Sequence, residues 1–263
     1  MYEVAPIRPV PPMVRDMDLG KNRQGSTTIL AAQDIQLDYD DGAALILQFE
    51  ADRVAWEMSE GAATSSGDAP YDAVEVRPGV FFVHIVDAER KFGLTHVIDR
   101  EQGRAITACD QLIDGERAMR RSIRPARIAG STVDYLPITE SRELIGRRAY
   151  CEYSEEAALE HVYINSRAIL WQWLMLPSDP RFDALRTEVG IEAVSMRKVR
   201  DELFLLALHD GGSIELTLLM DFAQGRNVGQ LFGVTDRGIV SRPVGAKIVP
   251  LGSIDYPQGF EPG

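Results

Sequence analysis

Cysteine is nearly absent: Cys109 and Cys151 are the only two in 263 residues, and their surroundings are unrelated. They offer neither a disulfide framework nor a Cys-x-x-Cys metal pattern, and both read as plain thiols. Long apolar runs are missing too. No stretch approaches 18 uninterrupted apolar residues, so no membrane-spanning helix is expected. Positive charge is in short supply: against 40 Asp and Glu stand 28 Lys and Arg, a net charge of −12. A phosphate backbone would be repelled, which argues against a nucleic-acid partner. The chain opens without a basic stretch followed by an apolar one, so no secretory signal is read and a cytoplasmic location is expected. Neither Gly-x-Ser-x-Gly nor His-x-x-x-His occurs, which sets aside a serine triad and a helical zinc site, and no metal is expected. Persuasive helical periodicity is absent before Arg120.

What remains is an ordinary globular composition, 45% hydrophobic and 26% charged, long enough for a substantial core. Residues 1–18 carry Pro6, Pro9, Pro11 and Pro12 and read as an extended arm, packed on the body or on a second copy in a homo-oligomer. From Asp34 the texture is β. Ile35, Leu37 and Tyr39 alternate with polar residues, Asp40-Asp41-Gly42 is a turn, and Ala43 to Glu50 and Arg53 to Trp56 continue as strands. Ser59 to Pro70, rich in Gly, Ala, Ser and Thr, reads as a loop. Strands follow at Tyr71 to Arg77, Gly79 to Val86, Gly93 to Asp99 and Ala105 to Cys109. The basic cluster Arg117 to Arg127 reads as a solvated or ion-paired connector.

The second half repeats this order. Thr95-His-Val-Ile-Asp99-Arg-Glu-Gln102-Gly103-Arg104 matches Thr217-Leu-Leu-Met-Asp221-Phe-Ala-Gln224-Gly225-Arg226, an offset of 122 residues. At that offset Phe81-Phe82 falls on Leu203-Phe204, His84 on Leu206 and His96 on Leu218. Trp56 pairs with Trp171. Asp99 and Asp221, present in both halves before Gln-Gly-Arg, suit a turn. Each half holds seven or eight short antiparallel strands, which predicts an all-β protein of two tandem calycin-like or lipocalin-like antiparallel barrels from an internal duplication. The expected divisions are the arm at 1–18, a first barrel at 19–125, a connector at 126–139, a second barrel at 140–252 and a tail at 253–263. A barrel of about eight strands holds one small ligand.

The densest chemistry lies at Leu159 to Leu174, which reads as a hairpin: strand formers Val162, Tyr163 and Ile164, turn residues Asn165-Ser166-Arg167, then an apolar aromatic run. Because side chains alternate, His161, Tyr163 and Asn165 share one face, as do Trp171 and Trp173. A neutral imidazole beside a phenol suits proton abstraction with oxyanion stabilisation, while Trp171, Trp173 and Trp56 can stack on a planar ligand and Arg167 can hold a carboxylate. Against this stands the plain reading in which the tryptophans fill a core. His84 and His96 each sit on an apolar strand face, as core residues or as polar groups facing a ligand, and gain weight if both point into one barrel. His209, before Asp210-Gly211-Gly212, is expected at an exposed strand end.

Gly146-Arg147-Arg148, Tyr153-Ser154, Glu160-His161-Val162-Tyr163-Ile164-Asn165-Ser166-Arg167, Trp171-Gln172 and Pro243-Val244-Gly245-Ala246 carry a family likeness, joined in the first half by Tyr71-Asp-Ala-Val-Glu-Val-Arg-Pro-Gly79-Val-Phe-Phe. The chain resembles the molybdenum cofactor biosynthesis protein F family, whose members carry two lipocalin-like halves. The resemblance implies the fold more than a reaction. Nothing resembles a nucleotide-binding loop, a molybdopterin-transfer cysteine or an iron–sulfur motif, so no cofactor is expected. Two functions fit. One is a cofactor-independent lyase, hydratase or isomerase on an aromatic or carboxylated small molecule, with His161, Tyr163, His84 and His96 as its chemistry. The other is a non-catalytic carrier or sensor of a hydrophobic or pterin-like ligand.

Overall fold

Alternation governs the first strands. In Asp34–Tyr39 every second residue is buried, and Ala44–Phe49 repeats the pattern one hairpin later. Leu37, Leu45 and Leu47 are fully buried, each stabilising the fold by about 1.5–3 kcal/mol relative to exposure. A strand with one buried face must curl over a core or pair into a closed sheet, and here it closes. The computed structural model describes residues 17–113, 119–209, 214–235, 238–257 and 262.

The first barrel runs β1 (Asp34–Tyr39), β2 (Ala44–Phe49), β3 (Arg53–Glu60), β4 (Ala63–Arg77), β5 (Val80–Asp87), β6 (Phe92–Asp99), β7 (Arg104–Leu112) and β8 (Met119–Ile128). Each strand pairs with the next, and β8 returns antiparallel to β1. The second repeats the order with β9 (Arg147–Ser154), β10 (Ala157–Asn165), β11 (Ala168–Met175), β12 (Val189–Arg200), β13 (Leu203–His209), β14 (Ile214–Asp221), β15 (Arg226–Thr235) and β16 (Gly238–Ser253), closed by β16 against β9. A 3₁₀ helix, Pro180–Thr187, joins β11 to β12 and buries Phe182 and Leu185 in the second core. The all-β duplication expected from the sequence is what the chain builds. Among the described residues no helix is long and apolar enough to cross a membrane.

Three boundaries differ from the sequence reading. The stretch Ser59 to Pro70 is not a loop: β3 and β4 continue through it as a long hairpin turning at Gly61, with Trp56 opposite Gly67. Gly67 faces the Trp56 ring and Ala69 the core, while Ala63 to Ser66 stay exposed, so composition imitated a loop where cross-strand pairing makes a strand. β8 extends to Ile128, opposite Leu37, three residues into the span read as a connector. The described basic residues of that segment are strand residues; Arg121 holds Asp110, Arg124 holds Asp41 and Glu60, and Arg127 donates to Ser131 O. Residues 19–24 belong with the second barrel. Leu19 O accepts from Gly245 N at 2.8 Å, Asn22 N donates to Tyr153 O at 3.1 Å, and Met17 is buried in the second core. Positions 1–16 of the Pro-rich arm lie outside the described residues, as do Arg117 and Asp210-Gly211-Gly212.

The duplicated turn is explicit. Asp99 Oδ1 accepts from Gln102 N at 3.1 Å, Asp221 Oδ1 from Gln224 N at 2.9 Å, and Gly103 and Gly225 follow with φ of 61° and 63°. Both aspartates are fully buried, as structural turn residues.

Candidate functional site

The β10–β11 hairpin forms as its sequence requires. Asn165 Oδ1 accepts from Arg167 N at 2.8 Å, fixing the turn, and Arg167 is exposed. These two residues shape the hairpin and do not enter the barrel. Upstream, Leu159, His161 and Tyr163 point inward, with Trp171 directly opposite His161 and Trp173 opposite Leu159. Ala149 and Cys151 of β9 complete the same inner face.

His161 is 3% exposed, and its Nδ1 lies 3.9 Å from Cys151 Sγ. The Tyr163 ring stands edge-on to it at 6.3 Å between centroids. Burial pushes the imidazole down to about 4 and the Cys151 thiol up to about 12, and holds the Tyr163 phenol well above its ordinary range. At neutral pH the interior therefore carries an uncharged imidazole, a thiol and a phenol. The Tyr163 hydroxyl is completely buried and has no hydrogen-bond partner among the described residues. Such an orphan costs about 1–3 kcal/mol.

On β11 the inward Trp171 and Trp173 are half-exposed. Trp173 packs on the core edge, and Trp171 lies flat over Gly190 and donates its indole N–H to Glu192 Oε1 at 2.7 Å. At the β9–β10 turn itself a groove of about 500 Å³ is lined by Met17, Lys21, Ser154, Glu155 and Pro177 among others.

The first barrel places its candidates differently. His96, between Leu94 and Ile98, points inward opposite Val83 and Thr107. His84 points outward: it is 4% exposed, and its Nδ1 is 2.8 Å from Thr95 Oγ1. The two histidines thus lie on opposite sides of one barrel wall and form no shared site. The register explains this. Val83 pairs with His96, and Leu206 with Leu218, so His96 does align with Leu218, but Leu206 aligns with Val83 rather than with His84. The β5–β6 connection is one residue longer than its counterpart, and one residue reverses the face of a strand. Trp56 repeats Trp171 closely, with its ring over Gly67 as the other's is over Gly190. The strand opposite each indole carries Leu47 in the first barrel and His161 in the second. Each barrel therefore has one inward histidine where its sister has leucine.

Residues 17–114 match the MoaF N-terminal domain and residues 138–254 the MoaF C-terminal domain. The chain belongs to the MoaF family. Protein MoaF of Klebsiella aerogenes is 28% identical over 199 residues, covering 68% of this chain and 72% of that one. A solved structure of a DUF3598-family protein of unknown function from Nostoc punctiforme covers 88% of this chain and 98% of its own at 9% identity, with a TM-score of 0.38, too low to carry an argument.

Within the MoaF C-terminal domain, then, the interior brings together His161, Tyr163, Trp171 and Trp173. The MoaF N-terminal domain holds His96 and Trp56 inside its own barrel and His84 outside it. Sequence reasoning missed Glu192 and Cys151. Glu192 falls in phase with Val194 and Met196 on β12, so its inward face was readable from alternation once the strand was placed. Among the described residues no group of three or more His, Cys, Asp or Glu is placed to hold a metal ion.

The two interior histidines contribute to the acid response of the fold. Burial lowers His96 to about 3 and His161 to about 4 from an ordinary 6.5. Below about pH 6.5 the unfolded chain binds protons that the folded chain refuses, so stability falls by about 1.4 kcal/mol per pH unit for each histidine until its folded pKa is reached; above about 6.5 neither adds a slope. His96→Leu, the residue used by the sister barrel, is expected to lose less stability between pH 7 and pH 5 than the wild type in urea titrations. An equal loss in both proteins would rule out a buried neutral imidazole at His96.

Proposed function

We propose that this MoaF protein is a cytoplasmic binder of one small, largely apolar, planar molecule in its second barrel. Tyr163 and neutral His161 would meet a polar oxygen of the ligand, and Trp171 and Trp173 would flank the way in. The observation that carries the reading is the Tyr163 hydroxyl: a fully buried donor with no partner among the described residues, on the inner wall of an eight-stranded barrel, is costly unless it has something to bind. Two free thiols suit a reducing compartment.

Catalysis is the second reading, favoured by the protonation states. An imidazole held neutral keeps a lone pair to accept a proton, and a phenol held protonated keeps one to donate. That pairing fits a cofactor-independent lyase, hydratase or isomerase working next to a carbonyl, with His161 taking the proton and Tyr163 bonding the developing oxyanion.

Tyr163→Phe tests the binding claim. Without added ligand the variant is expected to be more stable by about 1 kcal/mol in urea titrations, because the orphaned hydroxyl is gone. In a thermal-shift screen of cinnamate, cinnamaldehyde and pterin, its affinity for whatever the wild type binds is expected to fall about tenfold, near the worth of one buried hydrogen bond. Unchanged affinity together with lowered stability would overturn the reading. His161→Ala separates the two functions: retained binding with abolished product formation supports the enzyme, and no product from wild type supports the carrier.

A further inference from the structure

The first barrel carries its own unspent polar groups. Trp56 Nε1 and His96 Nε2 are both buried without a hydrogen-bond partner among the described residues, on side chains 4% and 0% exposed. Both point inward. Trp56 crosses the interior to meet Phe92 of β6 edge-on at 5.4 Å, and His96 lies four residues further along that same strand and face.

The imidazole is held in place from its other nitrogen. His96 Nδ1 is 2.8 Å from Thr107 Oγ1, which is 2.9 Å from the Tyr39 hydroxyl. The His96–Thr107 pair does not serve folding as such, because the sister barrel fills the corresponding places with Leu218 and Gly229, packed so closely that a side chain on the glycine would meet the leucine at 2.4 Å. An apolar pair is thus sufficient for a closed barrel of this kind. The polar pair is an addition, and one that leaves an imidazole nitrogen aimed into the interior at a cost. Small residues line the same inner wall: Gly67, Ala69, Ala73, Ala105 and Ala126 come from three strands.

We propose that the first barrel is a second ligand site, distinct from that of the second barrel, for an uncharged, mostly apolar small molecule carrying a hydroxyl or carbonyl oxygen. The indole N–H can only donate, so the ligand needs an acceptor. It is uncharged because the ionic groups of this barrel end already compensate one another: Arg90, 5.3 Å over the Trp56 ring, holds Asp87 at 2.9 Å, and Arg124, stacked 4.3 Å over the Tyr39 ring, holds Asp41 at 2.8 Å and Glu60 at 2.6 Å. A buried ion would have no counter-charge.

The two barrels then differ in what they recognise. Where Trp171 has its indole N–H committed to Glu192, Trp56 has its own uncommitted, because the position matching Glu192 is Ala69.

Titration calorimetry and native mass spectrometry of the full chain with naphthalene, 1-naphthol and 1-naphthoate test this. Wild type is expected to bind 1-naphthol about fivefold more tightly than naphthalene, the worth of one hydrogen bond, with 1-naphthoate weakest at the same site. That preference is expected to vanish in Trp56→Phe, which keeps an aromatic ring over Gly67 without the N–H. It is expected to vanish also in His96→Leu/Thr107→Gly, which installs the sister barrel's pairing, while both variants keep naphthalene binding. Equal affinity for naphthalene and 1-naphthol in wild type, a preference that survives in either variant, or no binding of any of the three up to their solubility limits would each overturn the proposal. Failure of the second-barrel reading shows instead as insensitivity of ligand binding to Tyr163→Phe, so the two proposals fail separately.

Discussion

Asp110→Ala is expected to lower the unfolding free energy by about 3–5 kcal/mol, the cost of stranding one member of a buried ion pair. Arg121 grips Asp110 with two parallel hydrogen bonds, Nε to Oδ1 at 2.6 Å and Nη2 to Oδ2 at 2.9 Å, and the side chains are 9% and 2% exposed. This is the bidentate geometry in which guanidinium and carboxylate satisfy each other most fully. Remove the carboxylate, and a guanidinium that cannot lose its proton remains in a place with little water. Urea titration read by far-ultraviolet circular dichroism gives the number. The double variant Asp110→Leu/Arg121→Met should recover most of the loss, since two apolar groups of similar volume replace the pair without leaving a charge behind. If Asp110→Ala cost less than about 1 kcal/mol, the pair would be behaving as an exposed surface bridge.

The second large effect concerns the two glycines beneath indoles. A side chain at Gly67 would meet Trp56 ring atoms at 2.7 Å, and one at Gly190 would meet Trp171 at 2.2 Å. Distance alone predicts the worse outcome at Gly190, but burial reverses the order. Trp56 is 4% exposed and enclosed by the first core, so Gly67→Val must strain the interior, at about 3 kcal/mol. Trp171 is half-exposed near the end of its barrel and can swing out, giving up chiefly its bond to Glu192, so Gly190→Val is expected to cost about 1 kcal/mol. The fluorescence of the two variants should separate them as well: red-shifted emission in Gly190→Val as the indole reaches water, little shift in Gly67→Val. A larger loss of stability in Gly190→Val than in Gly67→Val would mean that Trp171 is locked where it lies.

The architecture was legible because alternation and repetition are written in the residues that fold. Ile35, Leu37 and Tyr39 announce an inner face, and Asp99 and Asp221 each build the same turn in their own half. The hairpin holding His161 and Tyr163 was legible for the same reason, down to the face shared with Trp171 and Trp173. Register was harder. One added residue in a connection moved His84 from the inner to the outer face, and a repeat read at constant offset has no means of registering that. The unpartnered state of Tyr163, Trp56 and His96 was illegible altogether. Whether a buried polar atom has a neighbour depends on strands far apart in sequence, and no local pattern encodes it.

The short segment that docks on the second barrel sets an order of events during synthesis. Met17 O accepts from Arg242, 225 residues later, and Leu19 O accepts from Gly245. At about 5–20 residues per second, roughly ten to forty-five seconds pass between the ribosome releasing one partner and the other. The first barrel has all its strands by Ile128 and can close in that interval, while the apolar Met17 and Leu19 just ahead of it wait for a surface that does not yet exist. Met17 and Leu19 are among the last residues to find their place.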